Sequence, residues 1–467
     1  VKGCGETSGI IPFIRVMDSL TLAISQGSLR RGSAAVYLDV YHPEIEEFLE
    51  IRTSSGDFNR KSLNLHHGVA ITDEFMEAVR NDAPFSLRSP KTGEPLRQVS
   101  ARQLWQRILE TRLRTGEPYL LYIDTVNRAL PEHHKALGLK VRSSNLCAEI
   151  VLPSGEDHLG NMRTAVCCLS SLNIETWDEW SKVPGFVEDV LRFLDNVLSD
   201  FIANAPPAMA NAAYAAMRER SVGLGVMGFH SFLQSRGIAF ESALAKSWNL
   251  KIFRKLRAEA DAASRTLAGE RGPCPDAAEQ GAMERFSHKI AIAPTASISI
   301  ICGGTSACVE PIPANIYTHK TLSGSFSVYN PHLKRLLAER GADTPVVWQS
   351  IIAAEGSVQH LECLSADEKI TFRTAFEIDQ RWIIELAADR APYICQSQSI
   401  NLFIPSDVPK WDLHMLHWTA WEKGLKSLYY CLSKSLQRAA FAGETQAAVK
   451  VDVETGPTNY DECLACQ

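Results

Sequence analysis

A cysteine flanked by an amide and a carboxylate is the group in this sequence best suited to chemistry. Asn145, Cys147 and Glu149 follow one another at a spacing of two residues. In an extended or looped segment, residues two apart project to the same side, so all three side chains would face one substrate. A buried structural thiol is the alternative, since free cysteines behave as small apolar side chains. The hydrogen-bonding amide and the general base beside the sulfur favour thiol chemistry.

Two adjacent phenols and a terminal dithiol add to this interpretation. Tyr429 and Tyr430 fall in a predicted helix over 412–434, where neighbouring aromatics usually serve as core and edge packing. Cys463 and Cys466 form a C-x-x-C pair at the end of a tail, 436–467, whose composition predicts flexibility. The pair could be half of a zinc site. Such a site needs four ligands, however, and the sequence offers neither a second C-x-x-C nor a nearby histidine pair. A swinging dithiol that reduces a buried disulfide by exchange is favoured.

One polar segment is a candidate phosphate-binding element, and a second is a basic turn. Hydroxyls and free backbone N–H groups at a helix start bind anions well, and such a segment follows the predicted strand Ile290–Ala293 in the residues Thr295, Ala296, Ser297 and Ile298. An ordinary Ser/Thr turn is the alternative. The segment 25–32 contains Gln26 and Arg30, and by itself it indicates only a basic, glycine-containing turn.

The elements that must position these groups are predicted from hydrophobic periodicity. Ser100 and Gln103 form a capping-box pattern before a helix that ends near Gly116, and Tyr119–Ile123 is predicted to be a buried strand. Further helices are predicted over 11–24, 185–203, 242–268 and 412–434. Because helices and short apolar strands alternate without repeats, the fold class is α/β with parallel strands.

Composition excludes several classes of protein. The chain has 467 residues, a net charge of -6 and 45% hydrophobic residues, so it can bury a large core but has no basic footprint for direct nucleic-acid binding. It contains no apolar run of about 18 residues and no secretory signal, so we expect a soluble, cytoplasmic protein without membrane contact. Twelve cysteines are too sparse for a disulfide scaffold, and a reducing compartment is favoured.

The segment Asn145-Leu146-Cys147-Ala148-Glu149 resembles the finger loop of the ribonucleotide reductase large, catalytic subunit. Other segments resemble the same family in the same order, and together they cover nearly the whole chain. The resemblance implies that Cys147, as a thiyl radical, takes the 3′ hydrogen of a ribonucleoside diphosphate and that Glu149 takes the 3′ hydroxyl proton. Asn145 would hold the substrate, and Cys167 with a second thiol would supply the reducing equivalents.

The resemblance also assigns the remaining segments and the partners. Tyr429 and Tyr430 would pass a radical from a metal-containing small subunit, which marks class I enzymes, and thioredoxin or glutaredoxin would recharge Cys463 and Cys466. The substrate diphosphate would bind at 295–298, while Gln26 and Arg30 would sense nucleotide effectors such as ATP and deoxynucleoside triphosphates. No cofactor or metal is expected on this chain, and a homodimer is expected.

The family fold is a ten-stranded α/β barrel of two five-stranded halves with the finger loop at its centre, expected here over 1–435. In the family the second reducing thiol lies on the first barrel strand, upstream of Val1, and Cys4 is not at that place. We therefore expect an N-terminal part to be missing, so that the chain either needs a separate N-terminal fragment or is inactive. One alternative is an inactive remnant. The other is a cobalamin-dependent class II reductase, and the tyrosine pair argues against that class.

Overall fold

The computed structural model describes residues 8–24, 32–321 and 324–433. Four predicted site residues, Gln26, Arg30, Cys463 and Cys466, lie outside the described residues, as do Cys4 and the tail 436–467. The chain forms two compact units. The first comprises Val1–Leu120, Asn401–His417 and Tyr429–Gln467, and the second comprises Leu121–Ile400 and Trp418–Leu428.

The first unit is built around a small buried sheet. Ala35–Asp39 pairs in parallel with His66–Ile71, which in turn neighbours Tyr119–Tyr122. The first stretch of this unit ends within that last strand, at Leu120. Both inner strands are buried along their length. Two smaller pairs are Pro84–Arg88 with Pro95–Ser100, antiparallel, and Leu402–Ile404 with Cys431–Ser433, parallel. The helices are Ile11–Ala23, Ile45–Phe48, Asp73–Arg80, Ala101–Thr115 and the first part of Lys410–Glu422, with a 3₁₀ turn at Phe58–Arg60.

The helix Ala101–Thr115 begins and ends where the sequence predicts. The hydroxyl of Ser100 accepts a hydrogen bond from the backbone N–H of Gln103, which satisfies one of the free donors of the first turn. Gly116 has a φ of 84° and ends the helix in the left-handed conformation. The strand Tyr119–Tyr122 follows immediately, so the predicted buried strand is confirmed to within one residue.

The second unit places parallel strands beneath long helices. Leu169–Asn173 pairs in parallel with Gly223–Met227, and single bridges then join Leu224 to Ile290 and Ile292 to Gln398. The predicted strand Ile290–Ala293 is thus reduced to isolated bridges. The remaining strands are Gly155–Glu156, Met162–Arg163, Ile316–Thr321, Gly324–Tyr329 and Ser427–Leu428. The helices are Ile123–Arg128, Glu132–Ala136, Trp177–Trp180, Phe186–Asn204, Ala210–Glu219, Phe229–Gln234, Ala243–Arg271, Pro275–Glu279, Ala296–Ile301, Pro331–Glu339, Pro345–Ala353, Ala366–Thr371 and Gln380–Arg390.

The α/β class is confirmed by these alternating helices and parallel strands. Within residues 8–24, 32–321 and 324–433 the strands form separate small sheets, and no closed ten-stranded sheet is present. In the same described ranges, no helix combines the length and the apolarity needed to cross a membrane.

The helix predicted over 412–434 is wrong in its second half. It runs from Lys410 to Glu422, because Gly424 adopts a φ of 74° and the N–H of Leu425 donates to the carbonyl of Ala420. This 6→1 bond is a Schellman-type helix end, which apolar periodicity does not reveal. Tyr429 and Tyr430 therefore lie on an extended segment between short strands, not on a helix.

One buried carboxylate joins its own helix to three other segments of the second unit. Asp195 is fully buried on Phe186–Asn204 and accepts hydrogen bonds from Arg220 at 2.8 Å, Arg271 at 2.7 Å and Arg285 at 3.0 Å. Burial opposes ionisation, but the three guanidinium groups outweigh it and lower the pKa of Asp195.

Asp195→Asn is expected to destabilise the protein by about 3–5 kcal/mol, because it leaves buried guanidinium charge without its partner. Chemical denaturation measures the change, with Asp200→Asn as the control: Asp200 is an exposed carboxylate near the end of the same helix. Equal stability of the two variants would contradict a structural role for the Asp195 cluster.

Candidate active site

The segment from Asn145 to Ile150 forms a tight loop that its own residues close. The N–H of Asn145 donates to the carbonyl of Ile150 at 3.3 Å, and the N–H of Ile150 donates to the Asn145 side-chain oxygen at 3.0 Å. Ala148 has a φ of 64°, and its N–H donates to the carbonyl of Asn145 at 3.2 Å. Cys147 thus occupies the bend of a turn and is half-buried. The three residues do not form the extended strand that a spacing of two would also allow.

Glu149 lies buried at the base of this loop. Its side chain is 2% exposed, and burial raises the pKa of its carboxyl, while hydrogen bonds from the Asn145 amide and the Ser399 hydroxyl oppose the shift. The Ser399 hydroxyl lies 3.2 Å from the Glu149 carboxylate and also contacts the carbonyl of Cys147. A carboxyl group with a raised pKa is a stronger base when it is ionised, so this environment suits proton abstraction.

Neighbouring segments hold the loop in place. The Ser427 hydroxyl donates to the carbonyl of Ala148 at 2.8 Å, and the N–H of Ser397 donates to the carbonyl of Glu149 at 2.9 Å. Ile150 packs with Leu152 and Ala291 in one buried apolar cluster. The backbone on both sides of the turn is thereby fixed, which keeps Cys147 at a defined position.

Cys167 is brought to the same site from a distant part of the sequence. Its pKa is raised to about 12 by burial, with further contributions from Glu149 and Cys147, which places all three groups near one another. Its side chain nevertheless keeps an exposed surface, so the thiol is accessible. Cys168, by contrast, is buried and its thiol points at the Leu194 carbonyl, 3.7 Å away. Cys167 is therefore the accessible member of the vicinal pair, just before the strand Leu169–Asn173.

The two tyrosines form an aromatic cluster in the first unit. The ring centroids of Tyr429 and Tyr430 are 4.3 Å apart, and the ring of Tyr119 lies 4.7 Å from Tyr429 and 5.0 Å from Tyr430. Tyr429 is 3% exposed and Tyr430 is half-buried. The cluster therefore presents Tyr430 as its more accessible phenol.

The predicted phosphate segment begins a short helix. Thr295 has a φ of 54° and precedes Ala296–Ile301, and its buried hydroxyl accepts a hydrogen bond from the N–H of Cys308 at 2.7 Å. Ser297 and Ile298 are exposed. The first N–H groups of any helix lack intrahelical partners, so the turn offers backbone donors to an anion.

A separate buried cluster has metal-ligand residue types. The donor atoms of His134, Glu219 and His288 lie within 4.8 Å of one another. Zinc–nitrogen bonds of about 2.0–2.1 Å would require tetrahedral donors about 3.4 Å apart. Asp276, 3.4 Å from His134, is bonded by Arg163 and Arg218, and these guanidinium groups oppose a further cation. We interpret the cluster as structural.

Comparison with known proteins places this α/β protein with a thiol-bearing loop in one enzyme family. The family model for the ribonucleotide reductase barrel domain matches residues 1–284 and 276–431. A Frog virus 3 protein, provisionally named as a ribonucleoside-diphosphate reductase large subunit, is 45% identical over 99% of this chain and 79% of its own length. The large subunit of Invertebrate iridescent virus 3 is 43% identical over 99% of this chain and 80% of its own length.

A solved structure agrees with the sequence comparisons. The class Id ribonucleotide reductase alpha subunit of Actinobacillus ureae matches with a TM-score of 0.79 and 37% identity, covering 93% of this chain and 76% of that chain. The chain therefore belongs to the ribonucleotide reductase family, as a catalytic large subunit of ribonucleoside-diphosphate reductase. The predicted family and activity are confirmed.

Several residues that shape the site were not found from the sequence. Ser397, Ser399 and Ser427 support the loop. The first two belong to a polar alternation, Gln396-Ser397-Gln398-Ser399, that is unusual in a buried segment. That alternation could have indicated buried hydrogen bonding. Tyr119 contacts both tyrosines only because of the fold, and nothing in its local sequence marks it.

Proposed function

We propose that Cys147 is the radical-bearing thiol that takes the 3′ hydrogen of a ribonucleoside diphosphate. Hydroxide is a poor leaving group from carbon 2 of a ribose, and a radical at carbon 3 activates its departure. The observation that carries the proposal is that Cys147 and Glu149 share one loop, that Cys167 lies near both, and that Glu149 is buried. Glu149 takes the 3′ hydroxyl proton, and Asn145 holds the substrate.

The reducing equivalents come from Cys167 with a second thiol, and then from the tail dithiol Cys463 and Cys466. The exposure of Cys167, against the burial of Cys168, supports this assignment. Thioredoxin or glutaredoxin recharges the tail. These exchanges require reduced thiols, and the nine free cysteines of the described residues support a cytoplasmic setting.

The substrate diphosphate binds at the turn formed by Thr295, Ala296, Ser297 and Ile298. Backbone N–H groups at this helix start supply the donors, while the exposed Ile298 side chain has no hydrogen-bonding group to offer. In the segment 25–32, Gln26 and Arg30 sense the base of a nucleotide effector such as ATP or a deoxynucleoside triphosphate.

Tyr429 and Tyr430 pass the radical between a metal-containing small subunit and Cys147, as in class I enzymes. Their ring separation of 4.3 Å supports short-range transfer, and the half-buried Tyr430 is the member nearer to solvent. The functional assembly is a homodimer of the large subunit with the small subunit. Its catalytic body, over 1–435, supplies the second half and part of the first half of the family's ten-stranded barrel, with 436–467 as the redox tail.

The test is formation of deoxycytidine diphosphate from cytidine diphosphate by the full-length protein. The assay contains a class I small subunit, a dithiol reductant and ATP. Product that depends on the small subunit supports class I chemistry. Product that requires adenosylcobalamin instead would overturn it, and no product under either condition would favour an inactive remnant.

Glu149→Gln is expected to lower turnover by about 10²–10⁴-fold, because an amide cannot accept the 3′ hydroxyl proton. Since burial raises the pKa of Glu149, its base form is lost as pH falls through that raised value, and turnover of the unmodified enzyme should fall with it. The variant should lack this acidic limb. Measuring turnover against pH, with the exposed Glu156→Gln as control, tests both points; an unchanged acidic limb in Glu149→Gln would assign the titration to another group.

A further inference from the structure

A buried imidazole and carboxylate lie against the phenol of Tyr430 in the first unit. The Tyr430 hydroxyl is 3.2 Å from Nδ1 of His66, and the same nitrogen is 2.6 Å from Oε1 of Glu117. One ring nitrogen therefore lies within hydrogen-bond distance of both the phenol and the carboxylate. His66 is 3% exposed and Glu117 is 1% exposed.

The surroundings keep Glu117 in its ionised form. Its second oxygen accepts a hydrogen bond from the N–H of His67 at 2.9 Å, and Arg52 lies 3.4 Å away. Burial opposes ionisation of Glu117, but hydrogen bonds from His66 and His67 and the charge of Arg52 outweigh it, so its pKa lies well below the usual range. The carboxylate is anionic at neutral pH.

The phenol, in contrast, cannot lose its proton in advance. Burial and the negative charge of Glu117 raise the pKa of Tyr430. When a phenol gives up an electron it becomes a strong acid, so its proton must leave with the electron to a nearby base. Tyr119, which also contacts Tyr430, is a neutral phenol whose pKa burial raises well above the usual range, and it is a poor base.

Stability alone does not account for a buried imidazole–carboxylate pair. Replacing buried ionic pairs by apolar side chains is often neutral or stabilising, because desolvation offsets their attraction. Here the pair contacts the one half-buried phenol of the aromatic cluster.

We propose that His66, backed by Glu117, receives the phenolic proton of Tyr430 each time that tyrosine is oxidised. This rests on the proposed radical transfer through Tyr430. The electron passes to the one-electron oxidant of the small subunit. The proton that Nδ1 of His66 shares with Glu117 moves onto the carboxylate, which frees the Nδ1 lone pair, and the phenolic proton takes its place on Nδ1. The products are a neutral Tyr430 radical, His66 with its Nδ1 proton replaced, and a protonated Glu117. Both proton shifts reverse whenever the Tyr430 radical regains an electron, from Tyr429 as the radical moves on towards Cys147 and from the small subunit as it returns, so each turnover leaves the pair unchanged.

Turnover of His66→Ala measures the contribution of the relay. With the full-length protein and its small subunit, we expect a loss of about 100-fold or more in turnover and an unchanged KM for substrate. Added imidazoles should restore turnover, with a rate that depends on their basicity, because they can occupy the space of the lost ring. His66→Gln fills that space without a base, so it should be equally slow and should not respond to imidazole.

His67→Gln is the matched control. The ring of His67 also donates to Glu117, at 3.0 Å, but it does so to Oε2, the oxygen that His66 does not contact. Its turnover should not respond to imidazole. Full turnover of His66→Ala, or a slow, folded His66→Ala that no imidazole restores, would overturn the relay. Tyr430→Phe separates the two proposals: if it is inactive while His66→Ala is fully active, only the relay fails, whereas an active Tyr430→Phe removes the radical pathway itself.

Discussion

Cys147→Ser is expected to abolish deoxyribonucleotide formation, leaving less than about a thousandth of the original turnover. A serine hydroxyl does not form an oxygen radical under conditions in which a thiol forms a thiyl radical, so the 3′ hydrogen is never taken. The fold should persist, because the loop is closed by the backbone and side chain of Asn145 and by the backbone of Ile150, not by the sulfur.

The measurement is turnover of cytidine diphosphate together with thermal unfolding and substrate binding. Cys363→Ser provides the control, since Cys363 is a free thiol of similar partial burial that packs beside a different apolar cluster. We expect the control to keep its turnover. A Cys147→Ser enzyme with ordinary turnover would overturn the assignment of the radical site.

Tyr430→Phe is expected to block turnover as completely, but for a different reason. Phenylalanine keeps the ring that packs against Tyr119 and Tyr429, while it removes the oxidisable hydroxyl. Substrate and effector binding should be unchanged, and the radical of the small subunit should persist when substrate is added. The loss therefore lies in radical transfer alone.

Electron paramagnetic resonance of the small-subunit radical, recorded during mixing with substrate, separates this effect from a folding defect. Tyr393→Phe is the matched control, because Tyr393 is also half-buried and its hydroxyl accepts a hydrogen bond from Arg254 at 2.9 Å. It should retain turnover. If Tyr430→Phe consumed the radical and formed product at the normal rate, the class I interpretation would lose its main support.

The sequence predicted helices and their ends well where the determining residues lie close together in the chain. A cap such as Ser100 and a helix end such as Gly116 act within a few residues, and so does apolar periodicity. The two long helices predicted from periodicity lie at Phe186–Asn204 and Ala243–Arg271. The helix end at Gly424 was missed because apolar residues continue beyond it to Leu428. Periodicity cannot distinguish a helix from the short strand that follows.

The sequence by itself determined the residue types and order of the finger loop, the tyrosine pair and the terminal dithiol, and these were sufficient to indicate the family and its reaction. Only the tertiary structure decided that Cys167, not Cys168, is accessible, that Ser399 supports Glu149, and that His66 reaches Tyr430. These contacts join residues that are far apart in the chain. Burial, hydrogen-bond partners and proton affinity depend on such contacts, and no local pattern encodes them.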